Sequence, residues 1–232
     1  MPRLFHAFRD LGFLPGFFYL ADRVSKRCFG HRMFFYYSIV AQPILPLRRR
    51  PGKAHKVIVC DSWEEFEAFA TQSEIDSAVL RDRFTDGYKC VVLANQDELL
   101  AYAWLALDSY EEDEVRCRFV PSPAGLVGWD FDVYVCPKYR GTLVFVRLWD
   151  GINQLYNQLD RTWTMSRISR LNVTSFQSHK SMGAIRALNI LFVVVGRMQL
   201  MLAPIRPFVH LSLSDKSRPT LEVSLPPNVT GE

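Results

Sequence analysis

Residues 132–152 pass from a strand pattern to a helix pattern through one short basic turn. The segment reads DVYVCPKYRGTLVFVRLWDGI, in which apolar and polar residues first alternate and then recur at helical spacing. Pro137 ends the strand, because a proline has no N–H with which to pair with a neighbouring strand. The segment therefore predicts a strand, a tight turn with Arg140 and Gly141, and an amphipathic helix packed on a sheet. The predicted buried stripe of that helix is Phe145, Leu148, Trp149, Ile152, Leu155, Tyr156 and Leu159, and its water-facing residues are Arg147, Asp150, Asn153 and Asn157.

The remaining periodic segments predict the surrounding fold. Helices come first, then an antiparallel meander of three strands, then strand, helix, strand, helix and strand. This order predicts a mixed α/β (α+β) fold, with a central, mostly antiparallel sheet, flanking helices and an N-terminal helical extension. Predicted helices cover residues 1–30, 62–70, 74–84, 143–160 and 173–183, and predicted strands cover residues 32–43, 55–62, 89–96, 99–107, 115–120, 128–137 and 162–171.

The patterns also divide the chain into three parts. Residues 1–46 form an aromatic-rich helical extension and the first strand, with a break expected at Pro15–Gly16 and a helix end at Gly30. Residues 55–212 form the main domain, and the proline-rich residues 213–232 are expected to be a loosely ordered tail. The aromatic residues of the extension either pack onto the main domain or lie on lipid beside its basic residues. These are Phe5, Phe8, Phe13, Phe17, Phe18 and Tyr19, with Arg3, Arg9, Arg23, Lys26 and Arg27.

Composition and charge narrow the class of protein. With 232 residues, 49% of them hydrophobic, the chain can bury a sizeable core. A net charge of +4 with interleaved acids and bases does not indicate a nucleic-acid partner. The one basic cluster, Arg48–Arg50 with Lys53 and Lys56, reads as a solvated connector, with a phosphate or membrane-surface contact as the alternative.

Cysteine spacing and the apolar segments indicate where such a chain resides. The five cysteines form no C-x-x-C pair and no histidine stands at ligand spacing, so neither a metal site nor a disulfide framework is expected. The charged N-terminus is unlike a signal peptide. Residues 187–203 approach membrane-span length but are interrupted by polar residues, so either one buried strand or two strands turning at Gly196–Arg197 is predicted. A cytoplasmic protein is expected, with peripheral membrane contact through the N-terminal segment as an added possibility.

The turn after the fourth main-domain strand is the first candidate for chemistry. A helix N-terminus offers unpaired amide N–H groups and the positive end of the helix dipole, which together favour an anion. Arg140 adds positive charge there, Gly141 lets backbone approach a ligand, and Thr142 caps the helix. The alternative is a tight strand-to-helix connection with a solvated arginine.

The strand before the turn carries the second set of candidates. Strict alternation places Asp130, Asp132, Tyr134 and Cys136 on one face. Repulsion between two carboxylates makes one of them a better base, which favours Asp132, then Asp130, as proton acceptor. The alternatives are solvated or arginine-paired aspartates, and Cys136 as an acyl-enzyme nucleophile. Further along, Arg167 and Arg170 either form structural ion pairs, neutralise the aspartates or hold an acidic substrate.

The chain has a strand that ends in proline, the turn Y-R-G, a helix and a strand, followed by Asn172, Ser175, His179 and Gly183. In this order of elements and residues it resembles the GNAT acyltransferase superfamily over residues 89–195. In that family an arginine- and glycine-rich turn binds the pyrophosphate of acyl-coenzyme A. The resemblance implies a GNAT-like domain over residues 55–212. It also implies donor binding by Arg140, Gly141 and Thr142, by the backbone of Tyr134, Val135 and Cys136 on a strand that splays from the next, and by Asn172 and Ser175.

The sequence departs from the family pattern in two places, the turn and the position of His179. Leu143 and Phe145 stand where the turn usually has glycine or alanine, which restricts backbone approach at the pyrophosphate. His179 stands where the family commonly has the tyrosine that protonates the departing thiolate. An imidazole titrating near neutrality is able to do this work, or to deprotonate the incoming amine.

The expected function is direct transfer of an acyl group from a thioester carrier to an amine acceptor. The carrier is acyl-CoA or acetyl-CoA, or an acyl carrier protein, and no metal is required. The alternative is a catalytically inactive GNAT-like module that binds an acyl carrier or a protein partner. The acceptor, the acyl chain length and the oligomeric state are left open.

Overall fold

The computed structural model describes residues 13–45 and 55–227. The chain divides into two compact units. The first unit comprises Met1–Gln42, Ser109–Pro123 and Met165–Glu232, and the second comprises Pro43–Asp108 and Ala124–Thr164. Several predictions on the N-terminal segment and the connector lie outside the described residues. They concern Arg3, Phe5, Phe8, Arg9, Arg48–Arg50 and Lys53.

Five helices and twelve strands lie within the described residues. The helices are α1 Phe13–Phe29, α2 Trp63–Ala70, α3 Ser77–Thr85, α4 Val144–Gln158 and α5 Val173–Ser181, with a short 3₁₀ helix at Pro137–Tyr139. The strands are β1 Phe34–Pro43, β2 Lys56–Cys60, β3 Lys89–Asn95, β4 Glu98–Ala106, β5 Tyr110–Glu111, β6 Arg118–Ser122, β7 Val127–Val135, β8 Trp163–Ser169, β9 Ile185–Val195, β10 Met198–Leu202, β11 Val209–Ser212 and β12 Thr220–Ser224.

The second unit is built on four antiparallel strands in the order β7-β4-β3-β2. Helix α4 packs on them through most of the predicted stripe, and Leu148, Trp149 and Ile152 are fully buried. Asn153 corrects the sequence-based assignment, because it is buried rather than exposed to water. Its Oδ1 accepts a hydrogen bond from the backbone N–H of Leu45 at 3.3 Å, which satisfies the amide inside the fold.

Helices α2 and α3 bring aromatic side chains to the strands of the same unit. Phe66 of α2 is fully buried, with its ring centroid 6.1 Å from that of Tyr102 and 5.9 Å from that of Trp104. Phe84 of α3 lies 4.8 Å from Trp104. These contacts hold α3 in place, and with it Arg83, which is important for the candidate site described below.

The first unit contains the strand order β11-β10-β9-β1-β8. Strand β1 pairs with β9, β9 with β10 and β10 with β11, and all three pairs are antiparallel. Residues 187–203 form parts of β9 and β10, which turn at Gly196–Arg197, so the second of the two predicted alternatives is correct. In the described part of the chain, no helix has the length and apolar character needed to cross a bilayer.

Helix α1 packs on the first unit through one face. The Phe18 ring lies 6.0 Å from that of Phe34 and 5.5 Å from that of Tyr36, and Asp22 pairs with Arg32 at 3.1 Å. The helix runs through Pro15 and Gly16, so the predicted break there is wrong, since proline is tolerated in a first helical turn. The opposite face exposes Phe17, Leu20 and Val24. The predicted lipid contact stays a prediction.

A second, three-stranded sheet in the order β12-β6-β5 lies in the first unit. The third strand of the predicted meander, β6, belongs to this small sheet and not to the main one. Alternation of apolar and polar residues predicts a strand but does not predict which strand it pairs with. Strand β12 lies inside the predicted loosely ordered tail and pairs in parallel with β6. Leu221 and Val223 of β12 are fully buried, and this packing orders residues 220–224.

The predicted fold class is confirmed. The described residues form a mixed α/β structure with a mostly antiparallel main sheet, flanking helices and the helix α1 near the N-terminus.

Candidate functional site

Strand β7 is interrupted by a bulge at the residues predicted to carry the chemistry. Tyr134 pairs with Tyr102 and Phe131 pairs with Trp104, so two residues of β7 face Ala103 alone. Asp132, in the bulge, has φ +47°. Aspartate tolerates this left-handed conformation better than most residues, and bulges redirect side chains.

The bulge separates the two predicted catalytic carboxylates. The rings of Tyr102 and Tyr134 stack at 5.1 Å on the face of β7 that carries Phe131. Asp130 pairs with Leu105 and belongs to the opposite face, whereas Asp132 reaches Arg83 of α3. The predicted common face of Asp130, Asp132 and Tyr134 is therefore wrong, because the extra residue breaks the alternation.

Asp132 forms an ion pair with Arg83. Its Oδ2 lies 2.6 Å from Nη1 of Arg83, and the carboxylate remains one-third exposed. The guanidinium is buried between two rings, with its Cζ 5.2 Å from the centroids of both Trp104 and Phe131. The ion pair holds the carboxylate at the bulge, facing partly into solvent.

Asp130 is buried and hydrogen-bonded. Its Oδ1 accepts from the hydroxyl of Thr164 at 2.8 Å, and only 1% of its surface is exposed. Burial and then the Asp130 carboxylate raise the pKa of Tyr156 on α4. Asp130 thus lies in the interior beneath α4, which does not support its predicted role as the second proton acceptor.

The turn between β7 and α4 closes through short-range hydrogen bonds. Tyr139 N–H donates to Cys136 O at 2.8 Å, and Thr142 N–H donates to Tyr139 O at 3.3 Å. The Thr142 hydroxyl accepts from Val144 N–H at 3.3 Å, although the N-cap position of α4 is held by Leu143 and not by Thr142 as predicted. Gly141 has φ +78°, and a side chain at this position would meet no atom within 4 Å. Glycine is therefore needed for its backbone conformation, and the space beside it is open.

The cations of the turn have partners on the neighbouring strands β4 and β7. Arg140 Nε donates to the carbonyl of Val135 at 3.1 Å, and Lys138 forms an ion pair with Glu98. Glu98 also accepts from the Tyr139 hydroxyl at 3.0 Å. Hydrogen bonds from Lys138 and Tyr139 hold the pKa of Glu98 below its usual range. Arg140 is exposed, so its charge still adds to the positive potential at the start of α4.

The two large residues of the turn do not fill it. Leu143 is 54% exposed in a helical conformation just before α4. The ring of Phe145 packs against Trp149, one turn along the same helix, at 6.3 Å. Both side chains therefore leave the start of the helix accessible.

Tyr134 and Cys136 lie beside this turn. The Tyr134 hydroxyl donates to Glu74 at 3.3 Å, and burial followed by Glu74 raises the pKa of the phenol. Cys136 is half-buried, and its N–H donates to Leu100 O at 2.9 Å. The amide of Cys136 is thus occupied by the sheet, contrary to its predicted use for the donor. The positions of Asp130, Asp132, Tyr134, Val135, Cys136, Arg140, Gly141 and Thr142 all fall in the second unit.

The other predicted residues belong to the first unit, at helix α5. Asn172 Oδ1 accepts from Ser175 N–H at 3.0 Å and so caps the helix. His179 is 3% exposed, with Nδ1 3.0 Å from Oε1 of Gln42. Burial lowers its pKa to about 4, so the imidazole is neutral at pH 7. The expectation of a histidine titrating near neutrality is wrong, because the ring is withdrawn from solvent.

Arg167 forms the structural ion pairs that were one of its predicted roles. Its guanidinium donates to Glu112 Oε2 at 2.9 Å and to Glu114 Oε2 at 2.8 Å. Glu112 is buried, and both oxygens of its carboxylate accept hydrogen bonds from Arg167, which compensates the buried charge.

Three contributors to the site were absent from the sequence interpretation. Arg83 follows Leu80 by three residues, which places both on the same helix face. This spacing from Leu80 is the sequence signal that could have indicated the buried position of Arg83. The contacts of Thr164 and Glu98 come from distant strands, and no local pattern indicates them.

No protein-family model and no curated protein matches the sequence. Among solved structures, a protein named as a GNAT-family acetyltransferase from Novosphingobium aromaticivorans matches 68% of this chain, which spans 62% of that protein, at 14% identity and a TM-score of 0.46. An aminoglycoside acetyltransferase from an uncultured soil metagenomic sample, solved with sisomicin, matches 56% of this chain and 87% of its own, at 11% identity and TM-score 0.40. A tandem GNAT protein of the clavulanic acid biosynthesis pathway matches 71% of this chain and 55% of its own, at 8% identity and a TM-score of 0.47.

Proposed function

We propose that the chain is a GNAT-type N-acyltransferase, which moves an acyl group from a thioester carrier to an amine. The observation that carries the proposal is the sequence of elements in the second unit. A bulged strand leads through the Gly141 turn, with open space beside it, to the exposed start of α4. The first amides of a helix have no acceptor within it, so this turn favours the phosphates of a carrier.

In this proposal the donor is acyl-CoA or acetyl-CoA, with an acyl carrier protein as the alternative. Arg140 and the Thr142 turn would bind its phosphate groups, with Gly141 holding the turn open. The backbone of Tyr134 and Val135 would run beside its pantetheine.

The proposed reaction needs neither a metal nor a redox partner. The amine nitrogen attacks the thioester carbonyl carbon, a C–N bond forms, and the C–S bond breaks as the thiolate leaves. One proton of the attacking nitrogen must be removed, and the thiolate takes up a proton.

Asp132 is the proposed residue for the acceptor amine. Its half-open position at the bulge suits it to bind an ammonium and to receive its proton through water, while Arg83 holds the carboxylate in place. The buried, neutral His179 is not included as proton donor to the thiolate, which leaves that step to solvent.

The test begins with isothermal titration of the full chain with acetyl-CoA and with a long-chain acyl-CoA. We expect saturable binding that weakens about tenfold or more in Gly141→Val, because a β-branched residue is strained at φ +78°. Gly141→Asn is the matched control, since asparagine adopts this conformation readily. Urea unfolding of both variants separates a lost site from a lost fold. Absence of heat with either acyl-CoA contradicts donor binding as CoA.

Turnover is then measured as thiol release with a panel of primary amines. Asp132→Asn should abolish release while acyl-CoA binding is retained. Unchanged release in this variant would remove Asp132 from the reaction.

A second function is favoured by one specific observation. Glu98 neutralises Lys138, and Arg140 uses its Nε–H on the Val135 carbonyl, so only the charge of Arg140 is left for a pyrophosphate, with one of its donors already in use. This favours a non-catalytic module that binds an acyl carrier or a protein partner. Binding of an acylated carrier protein without thiol release from any amine would support the module, whereas binding with release would support the carrier-dependent enzyme.

A further inference from the structure

The first unit contains a cavity with two arginines in its wall. It has a volume of about 170 Å³ and lies where β1, β8, α5 and β9 meet. Ser38 and Ile168, both buried, contribute to its lining, and Val173 and Phe176 of α5 line it as well. Arg170 follows β8 and Arg186 lies on β9.

The two guanidinium groups have aromatic neighbours instead of carboxylates. The Cζ atom of Arg170 lies 5.9 Å from the Tyr36 ring centroid, and that of Arg186 lies 5.0 Å from the Phe176 centroid. Among residues 13–45 and 55–227, no carboxylate oxygen lies within 4 Å of either group. The Nε of Arg170 is buried and has no acceptor within the same residues.

The positive charges of the pair affect each other. Burial, and after it the charge of Arg170, lowers the pKa of Arg186. Two like charges at one cavity cost free energy unless an anion lies near both. The cavity therefore carries an excess of positive charge that an anion bound near both arginines would neutralise.

Other arginines of this chain show how it neutralises a structural guanidinium. Arg167, three residues before Arg170, is bound by Glu112 and Glu114. Arg161 donates to the carbonyls of Leu107 and Val127 and pairs with Asp108. The contrast indicates that Arg170 and Arg186 keep their donors for a molecule that is not part of the fold.

Backbone geometry fixes both arginines at the cavity. The N–H of Arg170 donates to Tyr36 O at 2.9 Å. Arg186 stands beside an irregularity in the β1–β9 pair, where Ile39 pairs with Leu188 but Val40 pairs with Arg186. Such a bulge changes the direction of the neighbouring side chains.

We propose that this cavity binds the oxyanion group of a small molecule, a carboxylate or a phosphate. Arg170 and Arg186 donate hydrogen bonds to the oxyanion, for which the guanidinium fork is geometrically suited. Ile168, Val173 and Phe176 cover a short apolar part of the ligand. A cavity of about 150 Å³ accommodates benzene, so the volume suits an oxyanion with a few carbon atoms. The site does not depend on the proposed acyl transfer.

The experiment follows the full chain by ¹H–¹⁵N NMR, including arginine Nε–H signals, during titration with inorganic phosphate, butyrate and neutral butyramide. We expect saturable shifts with at least one anion and a larger response to butyrate than to butyramide. Saturation by phosphate alone identifies a phosphate ligand, and saturation by butyrate alone identifies a carboxylate ligand. No saturable shift with either anion, or saturable binding of butyrate and butyramide with equal affinity, overturns the proposal.

Variants connect the binding to the cavity. Arg170→Gln and Arg186→Gln should each weaken binding about tenfold or more, since a hydrogen bond to a charged group is lost. Arg197→Gln is the control, because it removes the same charge from an exposed position of the same unit. Arg186 is itself exposed, so its variant is expected to fold even if Arg170→Gln does not. Equal weakening in Arg186→Gln and Arg197→Gln would show general electrostatic attraction and overturn the site.

Discussion

Burial beside Gln42 makes His179 a source of pH-dependent stability. Its folded pKa of about 4 lies below the unfolded value of 6.5, so the unfolded chain binds a proton first as the pH falls. The contribution of His179 is therefore complete above pH 6.5 and is lost between pH 6.5 and 4. This difference between the folded and unfolded pKa corresponds to about 3 kcal/mol in the free energy of unfolding. Urea unfolding at several pH values should show this loss in the native chain and its absence in His179→Gln.

The control for His179 is His210→Gln, which removes a half-buried histidine of the same unit. It should keep the pH dependence of the native chain between pH 6.5 and 4. If the native chain and His179→Gln lose stability in parallel over this range, the ring is accessible to protons in the folded state.

Asp132 tests whether a site residue also supports the fold. Asp132→Asn keeps the shape of the side chain but removes the ionised acceptor 2.6 Å from Arg83. We expect a loss of about 1–2 kcal/mol in the free energy of unfolding, because a charge-assisted hydrogen bond becomes a neutral one. Asp82→Asn, on the exposed side of α3, should change stability by about 0.5 kcal/mol or less. Equal effects in the two variants would mean that the ion pair contributes nothing.

At the scale of elements, the contact of α4 with the sheet depends on Gly151. A β-carbon at this position would lie 2.6 Å from Cγ1 of Val57 and 3.3 Å from Cγ1 of Val91. Glycine to alanine within a helix usually stabilises by up to about 1 kcal/mol. Here we expect Gly151→Ala to destabilise by about 1–3 kcal/mol, because the helix would be pushed from the strands. Urea unfolding of the single variant measures the sign.

A double variant shows whether the clash is the cause. Val57→Ala removes the methyl groups nearest to the new β-carbon, so its combination with Gly151→Ala should cost less than the two single losses added together. Additive losses, or a stabilised Gly151→Ala, would contradict the close approach of α4 to β2.

The elements that sequence patterns predict well are those with a local cause. The stripe of α4 and the turn at Gly196–Arg197 follow from helical and strand spacing, and both are present. The bulge at Asp132 has no local signal, because it depends on how β7 pairs with a strand some 30 residues away. One extra residue there reversed the predicted placement of Asp130.

The same distinction applies to the candidate site. The Gly141 turn and the contact of the Thr142 hydroxyl with the first turn of α4 were predictable, because both are local in sequence. The ion pairs of Asp132 and Lys138, and the burial of His179, are set by residues distant in sequence. The chemistry of each candidate side chain therefore had to come from the tertiary structure.

At the scale of the whole molecule, the C-terminal strand closes the first unit. Strand β12 pairs in parallel with β6, about a hundred positions earlier, with Leu221 beside Phe119 and Val223 beside Pro121. Parallel neighbours require a long connection, so the pairing forms only when distant parts of the chain have come together. Residues 220–224 are thus part of the folded unit.

Val223→Asp tests this role directly. Val223 is fully buried, and a carboxylate there would lose its water without gaining a partner, at a cost of about 3 kcal/mol or more. Ser224→Asp is the matched control, because it adds the same charge at the adjacent exposed position. Hydrogen exchange should show faster amide exchange over residues 110–122 in Val223→Asp alone, since β6 loses its partner and β5 pairs with β6. Equal stability and exchange in the two variants would mean that β12 is not required for the small sheet.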